Sequence, residues 1–260
     1  MAETYVRVER PAERIAEIVL DRPPVNALSR EMVRQVRETA EGIGEDPSLA
    51  CVLVGSRGKA FCAGADLKER KGMGDDEVAA TVRGIGEMCS AVAGIPVPTI
   101  AVIGGAALGG GLELALACDL RVAAEEAKVG LPECSLGIIP GAGGTQRLAR
   151  IAGPAVAKRW IFSARVAPAE EAARDGIVDV AVPGEVLRVA ALTLAEEIAR
   201  CGPLALRAAK RAIDGGLAAG DLAAGLAVEH REYLSILPTE DRREALRAFA
   251  EKRPPRFRGR

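Results

Sequence analysis

The chain has 260 residues, of which 49% are hydrophobic and 27% charged, enough for one substantial core and unlike a disordered or collagen-like polymer. Its 35 basic and 36 acidic side chains leave a net charge of −1, so nothing global attracts it to nucleic acid or to an anionic membrane. The uncharged run from Met88 to Leu112 has the length of a membrane span, but Pro96, Pro98 and several glycines interrupt it, and it reads as buried strand and turn.

In chain order, apolar Ile15 to Leu20 is predicted to be a strand, ended by the turn Asp21-Arg22-Pro23-Pro24. Ser29 then caps an amphipathic helix with Met32, Val33, Val36, Ala40 and Ile43 on its apolar face. Cys51 to Val54 reads as a strand, and Val78, Val82, Ile85, Cys89 and Val92 recur at helical spacing. Thr99 to Ile103 is a further strand, Leu112 to Ala117 a helical piece, and Leu120 to Ala123 and Lys128 to Leu131 short strands. This alternation, to about Val182, predicts an α/β core of right-handed crossovers. Beyond it the chain reads as helical: Pro168 suits a first helical turn, and helices are expected over 184–200, 203–213, 218–237 and 239–252. With no low-complexity linker, residues 196–260 are expected to form a helical extension on a core of residues 1–195.

A single histidine, His230, excludes multi-histidine zinc sites and would force any Ser-His or Cys-His mechanism through itself. The six cysteines (51, 62, 89, 118, 134 and 201) form no C-x-x-C pair and lie among apolar residues. Free thiols in a reducing cytoplasm are therefore expected, and no signal peptide is read at the N-terminus.

Glu113 is the most informative residue, because no other charge falls between Glu87 and Asp119. A carboxylate there is desolvated, which raises its pKa and suits it to proton transfer near neutrality; the competing use is a buried glutamate satisfied by backbone donors. Gly109-Gly110-Gly111 ahead of it puts backbone N–H groups at a helix N-terminus, where oxyanions bind. Neither this cluster nor Gly141-Ala142-Gly143-Gly144 has phosphate-loop or dinucleotide spacing, and each has a tight turn as its alternative. Glu133, in Gly130-Leu131-Pro132-Glu133, is a second acid at a loop start, where acids are commonly solvated. If the two converge, one carboxylate takes a proton from water while the other gives one to carbon, with Gly110 N–H holding the developing charge.

Four segments together make the chain resemble the enoyl-CoA hydratase/isomerase, or crotonase, superfamily over its full length. They are residues 20–28 (LDRPPVNAL), 60–68 (AFCAGADLK), 107–113 (ALGGGLE), and the stretch from Leu131-Pro132-Glu133 to 140–147 (PGAGGTQR). The resemblance implies a crotonase-like α/β spiral of β-β-α turns with a C-terminal helical region making trimer contacts, two trimers commonly stacking as a hexamer. It implies that Ala65 and Gly110 supply the amides of a thioester oxyanion hole, that Glu113 and Glu133 are the paired acids of true hydratases, and that Gly141 helps hold the catalytic water. Ala63, Asp66, Leu67 and Lys68 match the loop along the coenzyme A path, with Lys68 either near a phosphate or simply solvated. Hydration of a 2-enoyl-CoA then follows, with no metal or redox cofactor and coenzyme A arriving as part of the substrate; double-bond isomerisation is the alternative.

Residues 161–166 (IFSARV) and 251–257 (EKRPPRF) look like methylglutaconyl-CoA hydratases, which suggests a branched-chain degradation role. Some of that group also bind AU-rich RNA through a lysine-rich helix. Here Arg30, Arg34 and Arg37 alternate with Glu31, Glu38 and Glu41, so RNA binding is not expected. The last 20 residues carry eight bases and three acids, either a solvated tail or a contact for coenzyme A phosphates. Alanines 208, 209, 212, 218 and 219 allow close helix packing there. Cys62 and His230 are read as structural.

Overall fold

The computed structural model describes residues 3–260. The chain opens with β1 (Val6–Ala12), β2 (Ile15–Leu20) and α1 (Arg30–Ile43), then β3 (Cys51–Ser56), β4 (Ala60–Cys62), α2 (Leu67–Arg70) and α3 (Asp75–Ala93). Next come β5 (Thr99–Ile103), β6 (Ala106–Leu108), α4 (Gly110–Ala117), β7 (Leu120–Ala124), β8 (Lys128–Gly130) and a 3₁₀ turn over Pro132–Leu136. After α5 (Gly144–Ala152), α6 (Pro154–Phe162), β9 (Val166–Pro168), α7 (Ala169–Arg174) and β10 (Val180–Val182), a 3₁₀ turn over Gly184–Val186 leads into helices only. These are α8 (Leu187–Ala199), α9 (Pro203–Ala218), α10 (Leu222–Ile236) and α11 (Glu240–Ala250).

Consecutive strands divide between two sheets. The larger has the order β1-β2-β3-β5-β7-β10 and the smaller β4-β6-β8-β9. Thus β3/β4, β5/β6 and β7/β8 each give one strand to each sheet before a helix returns the chain, which is the β-β-α spiral expected from the resemblance. The large sheet is parallel from β2 onward, with Val52 opposite Thr99 and Ile100 opposite Leu120. Strands covered on both faces read as continuous apolar runs, and every residue of β2 and β5 is buried.

Ser29 caps α1 as expected, its side chain accepting from Met32 N at 3.2 Å, and the predicted apolar stripe is the buried one. Several expectations are corrected. β1 lies outside the predicted strands: it is an edge strand with Arg7, Val8 and Arg10 exposed, and its charged residues break the apolar run that marks the buried strands. Lys128–Leu131 ends as a strand at Gly130, because Pro132 turns the chain into a 3₁₀ turn. Residues 218–237 are not one helix: α9 stops at Ala218, Gly220 takes φ +88°, and Asp221 caps α10 by accepting from Ala224 N at 2.8 Å. Residue 195 lies inside α8, which Arg188 ties to buried Glu17 of β2.

The α9–α10 contact is made at glycine, since a Cβ on Gly216 would lie only 3.7 Å from Gly225 Cα. Lys210 joins α9 to the core through Asp119 at 2.8 Å. The basic tail folds back onto α11: Asp241 accepts from Arg258 N and Gly259 N at 2.6 and 2.9 Å, and Glu244 pairs with Arg253 at 2.5 Å. Among the described residues no helix is long and apolar enough to cross a membrane, and no cluster of three or more histidine, cysteine or acidic groups is arranged to hold a metal.

Candidate active site

The site forms where the 63–68 loop meets the N-terminus of α4. Leu28 and Ala65 form a parallel bridge, in which Leu28 N donates to Gly64 O at 2.8 Å and Asp66 N to Leu28 O at 3.1 Å. The bonds on either side use Gly64 and Asp66, so the N–H of Ala65 itself turns away from Leu28. Gly110 is the first residue of α4, where an N–H has no intrahelical acceptor. The loop and the start of α4 approach closely, because a Cβ on Gly64 would lie 3.4 Å from Gly110 N and 2.7 Å from Leu108 O. Only glycine fits such an approach at φ +88°.

Glu113, 3% exposed, sits one turn into α4. Its Oε1 accepts from Ala142 N at 2.7 Å and Gly144 N at 2.8 Å, both in the glycine-rich loop leading into α5. Burial pushes its pKa up, while the two amides and the Arg147 guanidinium pull it back down. Glu113 is therefore a buried glutamate satisfied by backbone donors, one turn into the helix that begins at Gly110.

Glu133 lies in the 3₁₀ turn after β8, half-buried rather than solvated. Its carboxyl reaches the N-terminal side of α4, where a Cβ on Gly109 would meet its Oε1 at 2.9 Å. Its Oε2 is buried without a hydrogen-bond partner among the described residues. Burial, assisted by repulsion from Glu113, pushes its pKa up to about 7. The two acids thus stand on different elements beside the N-terminal part of α4: one oxygen of Glu113 accepts from two donors, and one of Glu133 has no partner among the described residues.

Gly141, exposed, lies against α3, where a Cβ would come within 2.5 Å of Val82 Cγ1. In the 63–68 loop, Ala63 N is bonded to Val25 O at 3.0 Å. Asp66 is occupied with structure: it caps α2 through Lys68 N and Glu69 N and pairs with Arg22 at 2.8 Å. Leu67 and Lys68 are exposed. Cys62 is buried behind Gly111, with burial pushing its thiol up to about 12, as fits a packing role. His230 is exposed on α10.

Sequence reasoning missed the residues that hold this site in place. Buried Asn26 donates to Arg57 O and Ala60 O at 3.0 and 2.8 Å and accepts from Arg22 N at 2.7 Å. It thereby sets the 21–28 turn beside the 63–68 loop. Arg22 completes the link through Ala27 O and Asp66. The available signal was an asparagine two residues after a Pro-Pro pair, between apolar Val25 and Ala27.

With this geometry, the model of the family described as enoyl-CoA hydratase/isomerase matches residues 10–260. The chain is 48% identical to the probable mitochondrial enoyl-CoA hydratase 2 of Arabidopsis thaliana, over 94% of this chain and 82% of that protein. It is 47% identical to the human mitochondrial methylglutaconyl-CoA hydratase, over 90% of this chain and 70% of the other. A crystal structure of enoyl-CoA hydratase from Bacillus anthracis superposes with a TM-score of 0.96 at 43% identity, covering 99% of this chain and all of that one. The chain belongs to the enoyl-CoA hydratase/isomerase family. As a member of it, the chain is an enzyme.

Proposed function

We propose that the protein hydrates 2-enoyl-CoA thioesters, with Glu113 as base and Glu133 as acid. The observation that carries this reading is the convergence of two differently prepared carboxyls on the N-terminus of α4. Burial raises both carboxyls, but two amide donors and Arg147 pull Glu113 back toward its anion, while Glu133, raised to about 7 and lacking a partner for Oε2, is still protonated in a large share of molecules near neutrality. Water held near Gly141 gives a proton to Glu113 as its oxygen bonds to C3. The C2–C3 π electrons pass toward the thioester oxygen, where the amides of Ala65 and Gly110 hold the charge, and Glu133 delivers its proton to C2. Exchange with solvent resets the two acids. The chemistry draws on the chain's own groups, and coenzyme A enters with the substrate along Ala63, Leu67 and Lys68, the loop that Asp66 fixes.

The favoured acyl group is short or branched, and methylglutaconyl-CoA is the leading candidate. Its support is the likeness to the human methylglutaconyl-CoA hydratase. Assembly as a trimer or a stacked hexamer is supported by the apolar surface of the C-terminal helices, where Leu217, Leu222 and Phe249 are 74%, 78% and 86% exposed. Unpaired thiols agree with a cytoplasmic setting. RNA binding is disfavoured by the ion pairs of Arg34 with Glu31 and Glu38, and of Arg37 with Glu87.

The deciding experiment compares wild type with Glu113→Gln and Glu133→Gln on crotonyl-CoA, a longer straight-chain 2-enoyl-CoA, methylglutaconyl-CoA and a 3-enoyl-CoA. Each variant should lose ~10²- to 10⁴-fold in kcat. Wild-type turnover in Glu113→Gln refutes the two-acid reading, and turnover confined to the 3-enoyl-CoA makes the protein an isomerase. Faster turnover of crotonyl-CoA by orders of magnitude removes the methylglutaconyl assignment.

A further inference from the structure

A groove of about 1110 Å³ lies against Gly141, Ala142 and Gly143, between α1, α3 and the start of α5, with Arg147 in its wall. Arg147 lies one turn into α5 and is half-buried. Its Nη1 donates to the carbonyl of Ala142 at 3.0 Å. The N–H of that same residue donates to Glu113 Oε1 at 2.7 Å. The guanidinium occupies the space where Gly143, at φ +110°, has no side chain, so a Cβ there would run into Nη1. The loop thus carries a cation on one side and the carboxylate on the other, separated by a single residue's backbone.

We propose that Arg147 is a positioning residue for the reaction: it fixes the carbonyl of Ala142 and, through that residue and Gly144, the orientation and charge of Glu113. The inference rests on the hydratase reading above. A planar guanidinium is always charged and is held here by the helix that also supplies the Gly144 amide, so it biases Glu113 toward the anion without touching substrate. The other titratable groups facing Glu113 are Cys89 of α3, whose thiol burial keeps protonated, and Glu133, whose charge opposes a second anion. Arg147 is the cation among these groups that favours the Glu113 anion.

The test uses full-length Arg147→Met, which keeps the aliphatic stem without donor or charge, beside Arg147→Lys, which keeps both charge and a donor. On a 2-enoyl-CoA, Arg147→Met should lower kcat by about 10- to 100-fold, the scale of a small misplacement of a catalytic group, with KM little changed. The acid limb of kcat/KM should move to higher pH, because Glu113 must lose its proton to act and the cation that lowers its pKa is gone. Arg147→Lys should return the limb toward wild type and recover most of kcat. Circular dichroism and active-site titration correct for unfolded protein. Wild-type kcat and an unmoved limb in Arg147→Met overturn the inference, as does a loss explained by the folded fraction alone. If Glu113→Gln is inactive while Arg147→Met behaves as wild type, only this inference fails; if Glu113→Gln is active, the hydratase reading fails first.

Discussion

Replacing Glu133 with Gln should stabilise the protein while removing turnover, and the gain should depend on pH with a fixed sign. In the folded chain burial raises this carboxyl from its ordinary 4.5 to about 7. Below pH 4.5 folded and unfolded chains both hold the proton and the site carries no penalty. Between 4.5 and 7 the unfolded chain releases its proton first, so wild-type stability falls as pH rises; above about 7 the folded chain holds a half-buried anion and the penalty is complete. At 1.36 kcal/mol per pH unit the whole interval corresponds to ~3.4 kcal/mol, and solvent reaching the half-buried side chain reduces that to ~1–2 kcal/mol. Gln has no charge to desolvate and nearly the same shape. Urea unfolding of both proteins at pH values from about 4 to about 9 should therefore give curves that coincide at the acid end and separate by ~1–2 kcal/mol at the alkaline end. A separation that is constant with pH, or one that closes as pH rises, would refute the assignment of a raised pKa to Glu133.

The same proton should govern activity: wild-type kcat/KM should decline on an alkaline limb centred near pH 7, as Glu133 loses the proton it must donate, measured on crotonyl-CoA in buffers of constant ionic strength. Gly111→Ala should cost ~3 kcal/mol in urea unfolding, because its Cβ would run into the Cys62 carbonyl, a backbone group that cannot step aside. Lys210→Met should cost ~2 kcal/mol by removing the Asp119 partner that joins α9 to the core, with kcat per folded site unchanged. Fluorescence anisotropy with AU-rich RNA at ~0.15 M salt should detect no nanomolar binding; tight binding lost on neutralising Arg30, Arg34 and Arg37 would contradict the paired arrangement of that helix.

What could be read from the sequence follows from the range over which each feature is encoded. The cap and apolar stripe of α1 lie within one run of residues, and β2, β3 and β5 are buried on both faces, so local pattern suffices for them. The strands of the small sheet are three residues long, too short for a period of two to declare itself, and apart from β8, read as a short apolar run, they are defined by their partners in the sheet. The candidate site divides in the same way. Glu113 stands out because its own neighbours are apolar, yet its donors lie 29 and 31 residues away, and spacing cannot place them. Glu133 resembles a solvated loop acid until the fold sets it against Gly109, whose missing side chain lets the carboxyl approach and leaves one oxygen unpartnered. The resemblance implies that pairing, since motifs record long-range contacts that composition and periodicity do not. It did not supply Arg147. The motif contains that residue, but its position behind the Ala142 carbonyl exists only once α5 turns back beneath the loop, and this arrangement connects the outer groove to the charge on Glu113.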